Sequence, residues 1–455
     1  MRLDLWKAGT CFLAFFLVTI VVFLNNSAYA QMENAGVTID ANSVLSVHTY
    51  LEPSLQALKA RKAQSAENIQ EDLVAYTPLR YVSLTRLERE VAQSGGNISD
   101  EVRYMGGLLK IDYVFVYPET KDVVLAGPAE GWYKDASGRA VGLSTGKPVL
   151  LLEDMVAALR AFPPGKMGAP IIGCSIDPTA DGLVNMQQKI AAIHAQRQTP
   201  APAVIQKTLR ESLGMQEVSV TGVNPKTHFA RAMVEADYRM KLIGVGLENP
   251  PVKMRTFIGS ARPSQISQNA LFRWYFVPNY ECVKMSPDKL AIQLVGQGVK
   301  LQDANEMVLQ DGQREQTVTI NPASRAFTES FTENYPKIAE KTPIYAELRN
   351  LIDMSVVAAY MQKEQIYEKL GWSLVLFGNE NRFPIETGTA PKYVESAVGA
   401  VMRGNTLMTP IGGGVEIRSA KALDAENLIN PKDADVEKQR KEIEAAVPDE
   451  GWWWN

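Results

Sequence analysis

Cysteine and histidine are scarce in this sequence, which contains three of each among 455 residues. A disulfide-framed miniprotein is excluded, because such scaffolds carry several cysteine pairs in a short chain. The spacings C-x-x-C and H-E-x-x-H, typical of zinc sites, do not occur, nor does a calcium loop of alternating Asp with a distal Glu. The sequence therefore predicts neither a metal site nor a cofactor.

A dominant charge is also lacking. Lysine and arginine number 47 against 51 acidic residues, which gives a formal net charge of -4. Nucleic-acid binding requires a basic face, and electrostatic membrane binding requires a polybasic segment. Neither kind of partner is indicated. The hydrophobic share of 46% and the charged share of 22% are typical of a globular protein.

Long apolar runs are absent except at the N-terminus. Arg2 and Lys7 precede an apolar stretch over residues 8–24, and a polar segment then leads to an Ala-x-Ala sequence. Signal peptidase requires small side chains at the last and third-last positions, so Ala28 and Ala30 predict cleavage after residue 30. An uncleaved anchor is the alternative, although the stretch falls short of the ~20 residues of a spanning helix. After cleavage we expect no stable membrane span and a periplasmic or extracellular location.

Strand and helix patterns both occur along the mature chain. Alternating β-branched and aromatic residues predict a hairpin from strands at 111–117 and 122–126. Apolar residues at helical spacing predict a long helix over 228–245. Further predicted elements are a glycine-rich loop at 127–146, a meander of three strands between 271 and 295, and a strand at 372–377. Because strands and helices do not alternate steadily, the sequence predicts an α+β fold rather than a doubly wound sheet.

The composition also predicts how the chain is divided. Pro250-Pro251 opens a connecting segment, which we interpret as the boundary between two packed α+β domains. From Asp424 onward Lys, Glu and Asp dominate, which is typical of a polar tail that is partly helical or disordered. The predicted divisions are a signal peptide at 1–30, an N-terminal domain at 31–250, a C-terminal domain at 251–423 and a tail at 424–455.

Three short motifs resemble catalytic ones, and each departs from its pattern. Gly142–Lys147 (GLSTGK) has one residue too few between its glycines for a phosphate loop, and Pro148 follows its lysine. Gly173–Asp177 begins like a nucleophile elbow, but an aspartate replaces the second glycine. Ser286–Lys289 has a serine-and-lysine spacing, but Pro287 places it in a turn rather than at the start of a helix. None of the three predicts catalysis.

The remaining candidates for catalysis are few. Cys174 requires a histidine beside it to act as a nucleophile, and Glu153-Asp154 or Asp177 with Asp181 could serve as paired carboxylates. Acid pairs at helix starts more often stabilise the helix dipole, and histidines within helices are more often structural. The sequence therefore leans against an enzyme. The histidines available are His48, His194 and His228.

Cys174 and Cys282 are the two cysteines that remain after removal of the signal peptide. Export would permit a disulfide between them. Two buried free thiols are the alternative, because a sequence does not show the spacing that the bond requires.

Aromatic residues in unusual places are the candidate contacts with a ligand or partner, because exposed rings often anchor interfaces. Trp132 and Tyr133 lie in the glycine-rich loop, Trp274 lies in a predicted strand, and Trp452, Trp453 and Trp454 end the tail. The alternatives are that Trp274 is core, that Trp132 closes the loop, and that the tail docks onto its own body.

Several stretches together resemble one known family. They are Gly36–Leu45 (GVTIDANSVL), Leu79–Glu90 (LRYVSLTRLERE), Ile111–Trp132 (IDYVFVYPETKDVVLAGPAEGW), Gly173–Pro178 (GCSIDP) and Asp237–Glu248 (DYRMKLIGVGLE). In these stretches the chain resembles an exported family, known mainly from planctomycetes, named only as a domain of unknown function of the DUF 1598 type. The resemblance implies export. It implies no activity, cofactor or catalytic residue, and the tail lies outside it.

The leading hypothesis is a non-catalytic exported protein that binds or scaffolds an unidentified component of the cell envelope or periplasm. One alternative is an extracytoplasmic hydrolase that uses paired carboxylates or Cys174. The other is a periplasmic small-ligand-binding protein with a cleft between its two halves. The sequence does not indicate the oligomeric state.

Overall fold

The computed structural model describes residues 34–51, 53–95, 98–196, 200–262, 270–309, 313–316, 321–403 and 405–455. The predicted signal peptide, with Ala28 and Ala30, lies outside the described residues. Those that are described form thirteen α-helices and nineteen strands in mixed sheets, which confirms the predicted α+β class. Among them, no helix is both long enough and apolar enough to cross a membrane.

Most strands are short. They are β1 (Asn34–Ile39), β2 (Val44–Tyr50), β3 (Thr77–Ser83), β4 (Tyr113–Tyr117), β5 (Asp122–Ala129), β6 (Trp132–Lys134), β7 (Ala140–Gly142), β8 (Ile172–Pro178), β9 (Met215–Thr221), β10 (Ala270–Pro278), β11 (Val283–Met285), β12 (Ala291–Leu294), β13 (Val299–Val308), β14 (Arg314–Gln316), β15 (Tyr393–Glu395), β16 (Val398–Arg403), β17 (Asn405–Ile417), β18 (Leu428–Asn430) and β19 (Trp453–Trp454).

The helices range from single turns to about six turns. They are α1 (Leu55–Glu67), α2 (Glu71–Val74), α3 (Leu84–Gln93), α4 (Asp100–Arg103), α5 (Leu152–Ala161), α6 (Ala180–His194), α7 (Pro202–Leu213), α8 (His228–Gly244), α9 (Phe257–Ser260), α10 (Pro322–Lys341), α11 (Pro343–Lys363), α12 (Ile366–Leu370) and α13 (Ala434–Glu444). Short 3-10 helices lie at Met105–Gly107 and Ser419–Leu423.

Two large sheets organise the chain. The ten-stranded sheet has the order β1-β2-β15-β9-β8-β17-β10-β13-β14, and β16 pairs with β17 beside this path. The seven-stranded sheet has the order β18-β11-β12-β4-β5-β3-β19, and β6 and β7 form a separate hairpin. The predicted meander is therefore wrong as one unit, because β10 lies in the larger sheet while β11 and β12 lie in the smaller one.

Strands from both sides of residue 250 mix in each large sheet. In the ten-stranded sheet β8 pairs with β17, and in the seven-stranded sheet β4 pairs with β12. The main apolar core also draws residues from both sides of this position. The boundary predicted near Pro250-Pro251 therefore does not separate two sheets or two cores.

Helix α8 is the central helix and positions the candidate site. The Thr227 hydroxyl accepts a hydrogen bond from the backbone N–H of Ala230, which caps the first turn. One side of the helix packs on β8 and β17, and other parts of its surface contact α5 and α11. Its predicted apolar positions, such as Met233 and Val234, are fully buried. Polar residues between these positions are buried as well, which is unusual for a helix in a soluble domain.

The tail packs onto the body of the protein. Strand β4 alternates, so that Val114 and Val116 face the main core while Phe115 and Tyr117 face a second cluster that includes residues of α13. Strand β19 then pairs with β3 at the edge of the seven-stranded sheet. The tail therefore forms a helix and a sheet edge, and the sequence underestimated its order because its apolar positions, such as Val436, are few.

Two local predictions are wrong for identifiable reasons. Residues 372–377 form a loop rather than a strand, because the Glu88 carboxylate accepts hydrogen bonds from the backbone N–H groups of Leu376 and Phe377. It also accepts one from the Trp372 indole. The glycine-rich segment 127–146 was predicted as a loop, but it includes the end of β5 and the β6–β7 hairpin.

Candidate functional site

A cavity of about 670 Å³ opens beside the β6–β7 hairpin. Four aromatic side chains contribute to its lining, and we call this cavity the aromatic groove: Tyr50, Tyr104, Trp132 and Tyr133. Trp132 and Tyr104 pack edge to face with ring centroids 5.4 Å apart. Trp132 and Tyr133, which the sequence singled out as candidate contacts, are largely buried and therefore form fixed walls.

A second cavity of about 290 Å³ adjoins the groove, because Tyr104 and Lys134 line both. We call it the charged cavity. The ionisable side chains that line it come from distant parts of the chain: Arg103, Lys134, Arg139, Glu153, His228, Arg231, Glu235 and Glu347. Most of these residues do not stand out in the sequence, since no motif links them.

Local hairpin geometry places Arg139 in the charged cavity. The Asp135 carboxylate accepts hydrogen bonds from the backbone N–H groups of Ser137 and Arg139, at 2.8 and 2.9 Å, and so closes the turn. Gly138 adopts a φ of 86° in this turn, a left-handed conformation that favours glycine. The turn therefore directs the arginine away from the hairpin and toward the neighbouring helices.

The Arg139 guanidinium joins three elements of the fold. It donates to Glu235 of α8 at 2.5 Å and to Glu347 of α11 at 3.1 Å. It also donates to the carbonyl of Ala35 in β1 at 3.0 Å. Burial alone lowers the pKa of Arg139, but the two glutamates reverse this and raise the pKa above its ordinary value. The group is therefore a permanent, rigidly held cation.

His228 and Asp154 form the second pair at this site. Each residue lies in the first turn of its helix, α8 or α5, and Nδ1 of the histidine is 2.9 Å from the carboxylate. Burial lowers the pKa of His228, but the Asp154 carboxylate more than compensates and raises the pKa to about 9. The imidazole is therefore a cation at neutral pH. The sequence indicated both residues as candidates but did not predict that they are in contact.

Glu153 precedes this aspartate and lines the charged cavity. Burial, together with the adjacent negative charge of Asp154, raises the pKa of Glu153. The positive charges of His228, Arg231 and Arg103 oppose this rise. Glu153 therefore interacts electrostatically with three of the cations near this cavity.

Two cations of the charged cavity are not in ion-pair contact with an acid, although Arg231 acts on Glu153 from a greater distance. Lys134 and Arg231 form no ion pair with any residue that the structure describes. Arg103 pairs with Asp100 at 3.5 Å, but both side chains are more than half exposed. Such an exposed pair contributes little to stability and exchanges readily with other partners.

The GLSTGK segment already holds an anion from the protein itself. The Glu130 carboxylate, fully buried, accepts hydrogen bonds from the backbone N–H groups of Ser144 and Thr145 at 2.8 and 3.0 Å. A Cβ atom added at Gly142 would lie only 1.9 Å from this carboxylate. The loop resembles a phosphate loop because its backbone N–H groups surround an acidic group, but that group is the protein's own Glu130 carboxylate.

The other motif candidates are not assembled for catalysis. Ser286 donates to Asp288 at 2.6 Å, while Lys289 pairs with Glu364 instead of turning toward the serine. The segment that resembles a nucleophile elbow lies within β8, where Ser175 contacts Ser219 of the neighbouring strand. No strand-to-helix turn presents its serine.

Cys174 lies in the interior of the ten-stranded sheet, between β9 and β17. Burial raises the pKa of its thiol far above the usual range, which is unfavourable for a nucleophile. Cys282 is also buried, and burial raises its pKa to about 12. Both are free thiols, so the disulfide considered from the sequence is not formed.

A sealed charge cluster lies close to this cysteine. Lys241 and Asp237 of α8 are fully buried, and Nζ of the lysine is 2.8 Å from the carboxylate. The same ammonium donates to the carbonyl of Ile176 at 3.1 Å, which fixes α8 on β8. Burial raises the pKa of Asp237 to about 6, although the lysine opposes this rise.

The remaining aromatic candidates are structural. Trp274 is fully buried and donates to the hydroxyl of Ser324 at 3.0 Å, so it is a core residue rather than a ligand contact. A Cβ atom added at Gly413 of β17 would lie only 1.9 Å from the carbonyl oxygen of Trp274, which explains the glycine at this position. The segment is continuous strand.

The tail tryptophans dock onto the body. Trp452 is buried, and its carbonyl accepts a hydrogen bond from Ser83 at 2.8 Å. Trp454 stacks on Tyr81 with ring centroids 5.5 Å apart. Trp453 packs against the small apolar cluster that contains Trp132, so the tail supports the back of the aromatic groove.

The other predicted acids and histidines do not join the site. Asp177 pairs with Arg273 at 2.8 Å, and Asp181 is exposed in the first turn of α6. His48 is exposed in β2, and the side chain of His194 is outside the described part of the structure. No cluster of three His, Cys, Asp or Glu side chains suited to a metal occurs among the described residues.

Comparison with known proteins gives one match. Residues 174–257 match the profile of a family described as a protein of unknown function (DUF1598). This confirms the resemblance to the DUF1598 family over these residues, and the matched segment runs from β8 to α9 and includes all of α8. No curated protein and no solved structure matches the chain.

Proposed function

We propose that this is an exported, non-catalytic binding protein whose ligand occupies the aromatic groove and extends into the charged cavity. One observation carries the proposal. Tyr104 and Lys134 line both cavities, so a single ligand can contact the rings and the charges at once. Sites for small polar ligands combine apolar or aromatic walls with a few fixed polar groups in this way.

The walls of the site support recognition, since they are rigid before a ligand arrives. Trp132 is held by Tyr104 on one side and belongs to a buried apolar cluster. Arg139 is fixed by two carboxylates, so it loses little freedom when a ligand binds. Aromatic rings also offer flat apolar faces to sugars or other ring-shaped groups.

The charge states favour binding over catalysis. His228 is held as a cation by Asp154 and so lacks the free lone pair that a general base needs. Glu235 and Glu347 are both engaged by Arg139, and Glu235 is also paired with Arg239 at 3.6 Å. Cys174, the nucleophile considered from the sequence, is buried away from both cavities.

Hydrolysis by paired carboxylates is the second candidate, and one observation favours it. Glu153 lines the charged cavity with a raised pKa, which suits a general acid. A panel of chromogenic glycosides and esters tests this candidate. Turnover that disappears in Glu153→Gln would support hydrolysis and contradict a purely binding role, whereas no turnover above the blank would dismiss it.

The binding proposal is tested by a thermal-shift screen of sugars, sugar acids and amino acids. A ligand that binds the folded state raises the melting temperature. Tyr50, half-buried in the groove wall, gives the variant Tyr50→Ala, and Tyr76, which is 52% exposed and lies outside the groove, gives the control Tyr76→Ala. We expect hits whose shift is lost in the first variant and kept in the second. No hits, or equal loss in both, would contradict the proposal.

Export is tested separately by the N-terminus of native material. Mass spectrometry should find a chain that begins at Gln31, after the proposed cleavage site. Detection of Met1 on soluble cytosolic protein would contradict export and leave the binding site to be explained in another compartment.

A further inference from the structure

The charged cavity holds more positive than negative side chains. Five cationic and three acidic residues line it. Two of the acids, Glu235 and Glu347, are already engaged by Arg139. Of the other lining cations, Arg103 is paired with Asp100 and His228 with Asp154. Two lining cations therefore remain that form no ion pair with a described residue.

These two cations are Arg231 and Lys134. Arg231 is half-buried on α8, and Lys134 is exposed at the junction with the aromatic groove. Neither forms an ion pair with another described residue. A partly buried guanidinium without a carboxylate partner keeps its fork of N–H donors available for a ligand.

Two helix N-termini reinforce the positive potential. Helix α5 begins at Leu152 and α8 begins at His228, and Leu151, Glu153 and His228 line the cavity. The N-terminal turn of a helix carries a partial positive charge and unpaired N–H groups, which favour an anion nearby. In α5 the first turn also contains Glu153 and Asp154, so the helix ends supplement the side-chain cations of the cavity and do not form the site by themselves.

The protonated His228 adds a fixed charge. The groups that face it are Asp154 and Glu153 from α5, Glu347 from α11 and Arg231 from its own helix. Asp154 holds Nδ1, so the opposite edge of the imidazolium is the one that remains for another acceptor. A cavity of about 290 Å³ has room for an oxyanion together with a few water molecules.

We infer that the charged cavity binds a small oxyanion, either a carboxylate or a phosphate or sulfate ester, through Arg231, Lys134 and His228. In the complete ligand this anion would be attached to the part that lies in the aromatic groove, and that attachment rests on the proposed function. The anion site itself does not depend on it.

Isothermal titration calorimetry with sodium sulfate and with sodium acetate, at fixed ionic strength and pH 7, tests the inference on the mature protein. We expect saturable binding of at least one anion, weakened about tenfold or more in Arg231→Gln, because a charge-assisted hydrogen bond is lost. Lys134→Gln should weaken it less, since this lysine is exposed. Binding of sulfate alone identifies a tetrahedral ester group, and binding of acetate identifies a carboxylate.

Arg210→Gln is the matched control. Arg210 is an exposed arginine of α7 whose guanidinium lies 3.7 Å from Glu395, outside both cavities. The Arg210→Gln variant should bind the anion with the same affinity as the wild type. If Arg231→Gln does not fold, Arg231→Lys keeps the charge but loses the planar fork of donors, and it should bind the anion measurably more weakly than the wild type. No saturable heat with either anion, or equal affinity in wild type and Arg231→Gln, would overturn the inference.

The two proposals fail in different ways. Tyr50→Ala should leave sulfate or acetate binding unchanged, because Tyr50 lines the groove and not the charged cavity. An anion that binds while the ligand screen finds nothing would refute the proposed function and support the anion site. Screen hits that require Tyr50, without any anion binding, would refute the anion site and support the proposed function.

Discussion

Helix α8 carries two buried charge clusters that differ in access to solvent. Lys241 and Asp237 are fully buried against β8, and their atoms pair with each other and with a backbone carbonyl. Glu235, two positions before Asp237 in the chain, belongs instead to the cluster around Arg139, which lines a cavity. We call these the sealed cluster and the open cluster.

The difference shows which property distinguishes a structural charge cluster from a candidate binding site. Both clusters are buried and both contain salt bridges, so neither burial nor charge separates them. The open cluster adjoins a cavity whose lining includes Arg231, a cation in no ion pair with a described residue. In both clusters one carboxylate oxygen lacks a hydrogen bond, so access to a cavity, rather than pairing or a shifted pKa, points to the functional candidate.

Breaking the sealed cluster should have the largest effect on folding. Lys241→Met leaves the Asp237 carboxylate buried without its cation, and removing one partner of a buried pair typically costs about 3–5 kcal/mol. Urea denaturation measures the change in the free energy of unfolding. The double variant Lys241→Met with Asp237→Leu should recover most of the loss. A cost below about 1 kcal/mol for the single variant would contradict a sealed cluster.

Breaking the open cluster at its centre should cost less. Arg139→Met leaves Glu235 and Glu347 without their shared cation, but the adjoining cavity admits water to them. We expect a loss of about 2 kcal/mol in the free energy of unfolding, smaller than for Lys241→Met because the stranded carboxylates stay partly hydrated. The same urea experiment measures it. A loss equal to that of Lys241→Met would remove the distinction between the clusters.

The His228–Asp154 pair predicts a pH dependence of stability. The pKa of His228 rises from 6.5 to about 9 on folding, so the folded state holds the proton more tightly than the unfolded state. Its contribution, on the order of 2–3 kcal/mol, is complete below pH ~6.5 and is lost as the pH rises through about 9. The groups that face this histidine are Asp154, Glu153, Glu347 and Arg231.

Unfolding free energies at pH 6 and at pH 10 measure this contribution. His228→Gln should flatten the difference between them. Burial raises the pKa of Asp237 to about 6, so protonation of this carboxyl favours the folded state at low pH, and that contribution is lost as the pH rises from about 4 to 6. An unchanged alkaline slope in His228→Gln would assign the effect to another group.

The smallest effect on stability is expected at Arg231. Arg231→Gln removes a cation that has no ion-pair partner among the described residues, so the free energy of unfolding should change by about 0.5 kcal/mol or less. Chemical denaturation at pH 7 measures the change. Together with weaker anion binding, this result would separate a ligand contact from a structural charge. A loss above about 2 kcal/mol would place Arg231 with the structural residues.

Local patterns predicted much of the fold. The β4–β5 hairpin and helix α8 were visible because period-2 and helical spacing depend on neighbouring residues only. The order of strands in the two sheets was not visible, because β8 and β17 come from distant parts of the chain. A composition that changes at Asp424 suggested a loose tail, although a few apolar residues suffice to dock it.

The candidate site was harder to predict than the fold. Trp132 and Tyr133 were identified from their glycine-rich surroundings, and the structure places both beside a cavity. Arg139 and Glu347 are 208 positions apart, and no spacing rule links such residues. Buried charges that recur along α8, such as Glu235, are the signal that was available. A largely buried helix with several ionisable residues indicates partners elsewhere in the chain.

The most direct test of the open cluster is a crystal structure of the protein soaked in selenate, located by its anomalous scattering. We predict a selenate in the charged cavity, within hydrogen-bond distance of the Arg231 guanidinium and next to Lys134 and His228. An open, empty cavity in crystals that carry selenate elsewhere on the protein would contradict it.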